Sequence, residues 1–145
     1  MRIVCLKTED LDAAMSLYSA VRTDFPALSP ESFREALSRN LSRGSVFGVW
    51  GDGALAGLLV CSPPLSRISF LAVHPGYRRR GIAGTLMRHA LALFGGKAEL
   101  FTYAPADGKD TPALALYRSL GFREAGQTPD FAVPAVRMVC EEKTV

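Results

Sequence analysis

Between Ile68 and Leu91 the chain reads ISFLAVHPGYRRRGIAGTLMRHAL, and within it the hydrophobic pattern changes character. A short apolar run, Arg67 to Val73, is stopped by His74-Pro75-Gly76. From Gly81 the apolar residues Ile82, Leu86, Ala90 and Leu93 recur at helical spacing until Gly95-Gly96 closes the segment. The stretch is therefore a strand, a tight turn, a basic loop and a helix. Such a segment delivers backbone N–H groups without intrahelical partners, and the positive end of a helix dipole, to one point. An anion belongs there. Gly81, Ala83 and Gly84 are small enough for a ligand phosphate to approach the amides, and Arg78, Arg79 and Arg80 add the charge a diphosphate favours. On local physics alone, a solvated basic turn before a surface helix accounts for the same residues. Nucleotide motifs are absent, with neither a Gly-Lys-Ser/Thr nor a Gly-x-Gly-x-x-Gly.

The flanking chain supplies a strand at Arg2 to Leu6 and a helix capped by Thr8, with an apolar stripe of Leu11, Ala14, Met15, Leu17, Tyr18 and Val21. A second helix starts at Ser29 with Pro30 in its first turn and runs to about Leu41. Ser45 to Trp50 and Ala54 to Cys61 form a hairpin about Gly51-Asp52-Gly53. After the central segment come a strand at Ala98 to Tyr103, a polar loop, and a helix capped by Thr111 and ending at Gly121. Strands at Phe122 to Ala125 and Val133 to Glu141 follow, separated by a loop at Gly126 to Asp130. This order predicts one α/β domain over residues 1–145, a mixed sheet with helices for both faces.

At 145 residues, 48% hydrophobic and 21% charged, the chain suits a single folded core. No apolar run approaches the ~20 residues that cross a bilayer, and the N-terminal stretch turns acidic early, so a cytoplasmic location and no membrane partner are expected. Cys5, Cys61 and Cys140 are odd in number, far apart and set in apolar segments, which predicts reduced core thiols and no metal site. A net charge of +3 gives no field calling for nucleic acid, although the arginine cluster leaves an RNA-directed reading to be tested.

At the central segment the residues resemble the GNAT family of acyl-CoA-dependent N-acetyltransferases, whose pyrophosphate loop runs Arg or Gln, two residues, Gly, one residue, Gly or Ala. Arg78, Gly81 and Ala83 match in order. Downstream, DTPALALYRSLGF (Asp110 to Phe122) is similar to the family's Asn-x-x-Ala-x-x-Leu-Tyr-x-x-x-Gly-Phe, with Ala113, Leu116, Tyr117, Gly121 and Phe122 in place.

The resemblance implies a mixed, mostly antiparallel sheet of six to seven strands flanked by four helices and splayed between the fourth and fifth strands. It implies acetyl-CoA as cosubstrate, no metal, and direct transfer of acetyl to a primary amine of a small molecule, peptide or protein. A non-catalytic acyl-CoA sensor of the same fold is the alternative. Backbone groups of Leu71, Ala72 and Val73 would hold pantetheine, and Arg78 to Thr85 (Arg78, Arg79, Arg80, Gly81, Ile82, Ala83, Gly84, Thr85) the diphosphate. Asp110, standing for the usual Asn, would keep an oxygen for the cofactor arm. Tyr117 would donate to the departing sulfur.

Where many members carry an acidic base, this chain has Arg67, Ser69, Phe70 and Thr102, so Glu99, Glu31, Asp24 and His74 stay open as candidates. The acceptor is expected against the first two helices, near Tyr18, Arg22, Asp24, Phe25 and Phe33. The C-terminal strand Val133 to Glu141, if exposed, would pair between subunits to give a homodimer.

Overall fold

The computed structural model describes residues 1–103, 111–128 and 135–141. Its elements are β1 (Ile3–Cys5), α1 (Leu11–Val21), α2 (Pro30–Arg43), β2 (Val46–Trp50), β3 (Leu55–Ser62), β4 (Arg67–Val73), α3 (Ile82–Leu93), β5 (Ala98–Tyr103), α4 (Pro112–Ser119), β6 (Arg123–Thr128) and β7 (Ala135–Cys140). The strands form one sheet in the order β1-β2-β3-β4-β5-β7-β6, antiparallel at every rung except β4–β5.

The helices form where the local chemistry satisfies their ends. Ser29 Oγ accepts from the Ser32 N–H at 3.1 Å, Pro30 stands at the first helical position, and Gly44 ends α2 in the left-handed region. Thr111 Oγ1 caps α4 in the same way, accepting from Leu114 N–H at 3.1 Å. Thr8, by contrast, is no cap. It lies in a 3-10 turn, Thr8–Asp10, because Asp10 reaches back to accept from the Lys7 N–H at 2.8 Å, and α1 begins only at Leu11.

Two apolar clusters sandwich the sheet. On one face α1 and α2 bury Leu17, Tyr18, Val21, Phe33, Leu37 and Leu41 against Leu58, Val60, Phe70 and Ala72. On the other, α3 and α4 bury Ile82, Leu86, Met87, Leu114 and Tyr117 against Leu59, Ile68, Leu100 and Met138. Gly57 sets how closely α3 approaches, since a Cβ there would lie 2.5 Å from Ile82 Cγ2.

One irregularity in β4 positions the site. Val60 faces Phe70 but Cys61 faces Ile68, so β4 carries an extra residue, Ser69. A bulge of this kind exchanges the two edges of a strand. Before it, the Glu99 N–H donates to Ser66 C=O at 2.9 Å, which ties the chain to β5. After it, the His74 N–H donates to Ala56 C=O at 2.8 Å, so by alternation Ala72 and Phe70 also turn their backbone groups to β3. Leu71 and Val73 then direct theirs towards β5. Yet β4 and β5 are in register only at Arg67–Glu99 and Ile68–Leu100. Beyond Ile68 the strands diverge, and the inner edge of β4 opens on a gap.

Further expectations are corrected. α2 runs two residues past Leu41, to Arg43. The expected loop at Gly126 is strand: β6 continues to Thr128, with Gly126 at φ 130° where the register shifts between Glu124 and Gln127. Finally, β7 is no edge, because β5 and β6 occupy its two sides, which removes the strand pairing expected between subunits. Among the thiols, Cys61 and Cys140 are buried as expected, but Cys5 is exposed because β1 is itself the sheet's outer strand.

Candidate active site

The turn after β4 is held by its own side chains. His74 Nδ1 accepts from the Gly76 N–H at 3.0 Å, and the Tyr77 ring receives the His74 edge and lies under the Arg80 guanidinium at 5.1 Å. The Tyr77 hydroxyl accepts from the Asp52 N–H at 2.9 Å, anchoring the turn to the β2–β3 hairpin. The loop then uses two left-handed residues, Arg79 at φ 63° and Gly81 at φ 76°. Glycine takes that conformation freely; for an arginine it is strained, and such strain gathers where a backbone is held for a ligand. Gly81 starts α3 with no side-chain cap, so the Ile82, Ala83 and Gly84 amides have no intrahelical partner.

Arg78 connects this loop to both sides of the gap. Its Nε donates to Val73 C=O at 3.3 Å, and its Nη2 donates to Asp24 Oδ2 at 3.1 Å. Asp24 closes the 3-10 turn that leaves α1, Arg22–Asp24. The next residue, Phe25, packs on Phe70 of β4 with ring centroids 4.6 Å apart and meets the Tyr103 ring edge-on at 6.4 Å. Tyr103 also accepts a hydrogen bond from the Ala27 backbone, so the far end of β5 is tied to the α1–α2 loop. Burial raises its pKa against the opposing effect of that bond. The same loop lines an open hollow of about 580 Å³ walled by Arg22, Phe25 to Pro30 and Glu31.

Where β4 and β5 still pair, Glu99 receives two arginines. Arg67 Nε donates to Oε1 at 2.7 Å and Arg137 Nε to Oε2 at 3.0 Å, while Arg67 also lies 5.5 Å over the Phe101 ring. Burial pushes the Glu99 pKa up, but hydrogen bonds and charge from Arg67 and Arg137 outweigh it and hold the carboxyl below its ordinary value. Tyr117 stands on α4 against Phe122, ring centroids 6.0 Å apart, and is 9% exposed. Burial pushes its phenol up to about 12. Among the described residues its hydroxyl has no hydrogen-bond partner.

These features can bind a diphosphate on main-chain donors and admit an extended amide-bearing arm along β4. The family comparison decides what they belong to: the profile of the Acetyltransferase (GNAT) family matches residues 14–122. The chain belongs to the GNAT family. It is 34% identical over 138 residues to mycothiol acetyltransferase of Mycobacterium avium, covering 80% of this chain and 42% of that protein. The chain thus spans about two fifths of that relative's length.

Among solved structures, the ribosomal-protein-S18-alanine N-acetyltransferase of Escherichia coli superposes with a TM-score of 0.73 at 26% identity, over 95% of this chain and 91% of that one. A GNAT-family acetyltransferase of Bacillus cereus gives 0.77 at 18% identity, over 99% and 98%. A GNAT-like decarboxylase, GphF, solved with isobutyryl-CoA, gives 0.76 at 15%, over 97% and 98%. The seven strands, four helices and parallel β4–β5 splay are the GNAT fold.

Against this GNAT frame, the expected residues separate. Gly81 through Gly84 stand at the α3 start, Arg78 to Arg80 on the loop before it, and Leu71 and Val73 on the gap, whereas the Ala72 backbone faces β3 because of the Ser69 bulge. Ile82 offers only its amide, its side chain being buried, and the Thr85 hydroxyl donates to Gly81 C=O at 2.9 Å. Asp110 lies outside the described residues.

Of the residues expected near the acceptor, Tyr18 and Phe33 are core residues, stacked at 4.6 Å and 1% and 4% exposed, so their packing supports the α1–α2 loop. The Tyr18 hydroxyl donates to Leu28 C=O at 2.6 Å. Of the base candidates, Glu99 is occupied by its two arginines and His74 Nδ1 by Gly76. Asp24 is paired with Arg78, and Glu31 is exposed in the first turn of α2. Tyr103 is the residue the sequence reading missed. Its signal was the alternation in AELFTY, which sets Glu99, Phe101 and Tyr103 on the face opposite Ala98 and Leu100.

Among the described residues, no group of three His, Cys, Asp or Glu converges on one point, and no helix is long and apolar enough to cross a membrane.

Proposed function

We infer that this GNAT protein is an acetyl-CoA-dependent N-acetyltransferase that moves an acetyl group directly to a primary amine of a small molecule, peptide or protein. The observation that carries this reading is the divergence of β4 from β5 beyond Ile68, next to a helix start with free amides. The gap leaves Leu71 and Val73 with backbone donors and acceptors for an amide-rich pantetheine arm. The amides of Ile82 to Gly84 and the arginines at 78 to 80 suit a diphosphate. Acetyl-CoA supplies an activated acetyl thioester.

The chain's own groups then have defined tasks. The amine, neutral after losing a proton to solvent water, attacks the thioester carbon, while a main-chain N–H on the inner edge of β4 polarises the carbonyl and stabilises the oxyanion. The C–N bond forms as the C–S bond breaks, and the proton released from nitrogen passes through solvent to replace the one Tyr117 gives the sulfur. The Tyr117 hydroxyl, buried and without a hydrogen-bond partner among the described residues, donates to the departing sulfur. With its phenol near 12 and a thiol of about 8.5, Tyr117 is a hydrogen-bond donor to the thiolate first and a proton source second. The amine arrives from the α1–α2 side, across Phe25 and Tyr103.

A sensor that binds acyl-CoA without transferring it is favoured by one observation: Glu99, the half-buried carboxylate of β5 where it still pairs with β4, is neutralised by Arg67 and Arg137. Calorimetry with CoA, together with thiol release from acetyl-CoA in the presence of an amine panel, separates the two. Binding with amine-dependent thiol release supports the enzyme, binding with none supports the sensor, and absence of binding refutes both.

A further inference from the structure

We propose that Asp24 is the anchor for the acceptor's ammonium group, and that Arg78 withholds it until the cofactor's diphosphate draws the guanidinium away. The proposal rests on the acetyl-CoA reading of the site and adds to it the acceptor's recognition and its coupling to the cofactor.

Arg78 lies across the mouth of the gap. One edge of its guanidinium holds Val73 C=O, a carbonyl on the inner edge of β4, and the other holds Asp24, which is 54 positions away in sequence. Pantetheine bound along β4 needs the Val73 edge, and a diphosphate at the α3 start attracts the Arg78 charge. Both demands act against the present position of the side chain. The Asp24 pair resists weakly, because both side chains are about half exposed, at 50% and 56%, and solvent screens them. A doubly charged diphosphate on free helix amides outcompetes a single exposed carboxylate.

What remains is a carboxylate without its cation at the acceptor's entrance. Asp24 precedes Phe25, whose ring rests on Phe70 beside the gap and faces Tyr103. Glu99, the half-buried acid of β5, already carries two arginines and stays neutralised. Asp24 is the acid whose partner the cofactor removes. A primary amine that enters protonated finds there one negative charge and an aromatic floor, which together suit an ammonium, and it gives up one proton to solvent water before its nitrogen attacks. Since the cofactor releases the anchor, acceptor and cofactor strengthen each other's binding by the same factor.

The test measures CoA affinity by calorimetry in the wild type, Asp24→Asn, Arg78→Gln and the double variant, with amine-dependent thiol release from acetyl-CoA read for 2-phenylethylamine, spermidine and an alanine-terminated tripeptide. Asp24→Asn is expected to tighten CoA roughly two- to fivefold, because the exposed pair no longer competes. It should raise the KM of the amine that turns over about tenfold. In the Arg78→Gln background the same change should leave CoA affinity unmoved, which separates release of the guanidinium from a general loss of negative charge. Unchanged or weakened CoA binding in Asp24→Asn overturns the latch, and an unchanged amine KM overturns the anchor. Absence of CoA binding in the wild type refutes instead the cofactor reading on which both depend.

Discussion

Replacing Tyr117 by Phe removes one oxygen and leaves the ring against Phe122, so activity and stability should move separately. The hydroxyl is 9% exposed and makes no hydrogen bond with the described residues. A buried, unpaired hydroxyl costs about 1–3 kcal/mol of desolvation, so its loss should leave the fold as stable or raise Tm by a few degrees. Transfer should suffer, since a donor present only as charge develops on sulfur is lost. The expected fall in kcat is about a hundredfold, with the KM for acetyl-CoA nearly unchanged.

The pH behaviour sharpens the test. Burial has raised the phenol from 10.0 to about 12, so the neutral form is favoured in the folded state. Because burial penalises the phenolate and adds nothing to the neutral form, stability is unaffected below pH 10 and falls, by up to about 3 kcal/mol, as pH rises from 10 through the folded value near 12. Tyr117 therefore remains a donor throughout an ordinary assay. The Phe variant should lose rate by the same factor at every pH and should resist alkaline unfolding better than the wild type. Thiol-release kinetics and alkaline melts measure both. An unchanged kcat, or a rate loss matched by a fall in Tm, would refute the assignment of Tyr117.

Other consequences follow from the packing. Gly57→Ala should push Ile82 and the start of α3 outward, weakening CoA binding about tenfold by calorimetry while leaving the helix content of the circular dichroism spectrum intact. Glu99→Gln, which takes the charge from between Arg67 and Arg137, should cost about 2 kcal/mol in denaturant melts at pH 7. Because the Glu99 carboxyl is held below its ordinary value, that contribution is present above the unfolded carboxylate pKa of about 4.3 and fades as pH falls through the lower folded one. The variant and wild type should therefore converge in strong acid. Under native conditions iodoacetamide should label Cys5 rapidly and leave Cys61, whose thiol burial has pushed up to about 11, unmodified until the protein is unfolded, as mass spectrometry would show.

Much of this arrangement was legible in the chain because its signals are local. A change of hydrophobic period at His74, three arginines before Gly81 and the paired downstream motif with Tyr117 marked the β4–turn–α3 segment, where the phosphate end of the site is proposed, without reference to anything distant. Helix caps at Ser29 and Thr111 were equally readable, since each needs only a hydroxyl three residues before an amide. What escaped was settled by contacts between remote segments. Ser69 looks like any strand residue, and only its pairing with β3 shows that it exchanges the edges of β4. Tyr18 and Phe33 resemble substrate-facing aromatics until the packing of α1 on α2 buries them. The C-terminal strand resembles an edge until β6 is seen folding back outside it. Asp24 and Arg78, similarly, meet only after the sheet has formed.

The central claim is that main-chain donors at the β4 edge and the α3 start hold the cofactor. A backbone amide NMR titration with CoA tests it most directly. Saturation should move the Ile82, Ala83 and Gly84 amides downfield together with those of Leu71 and Val73, while Leu37 and Leu41 on α2 stay in place. Tight binding that leaves those five resonances unmoved would contradict the account.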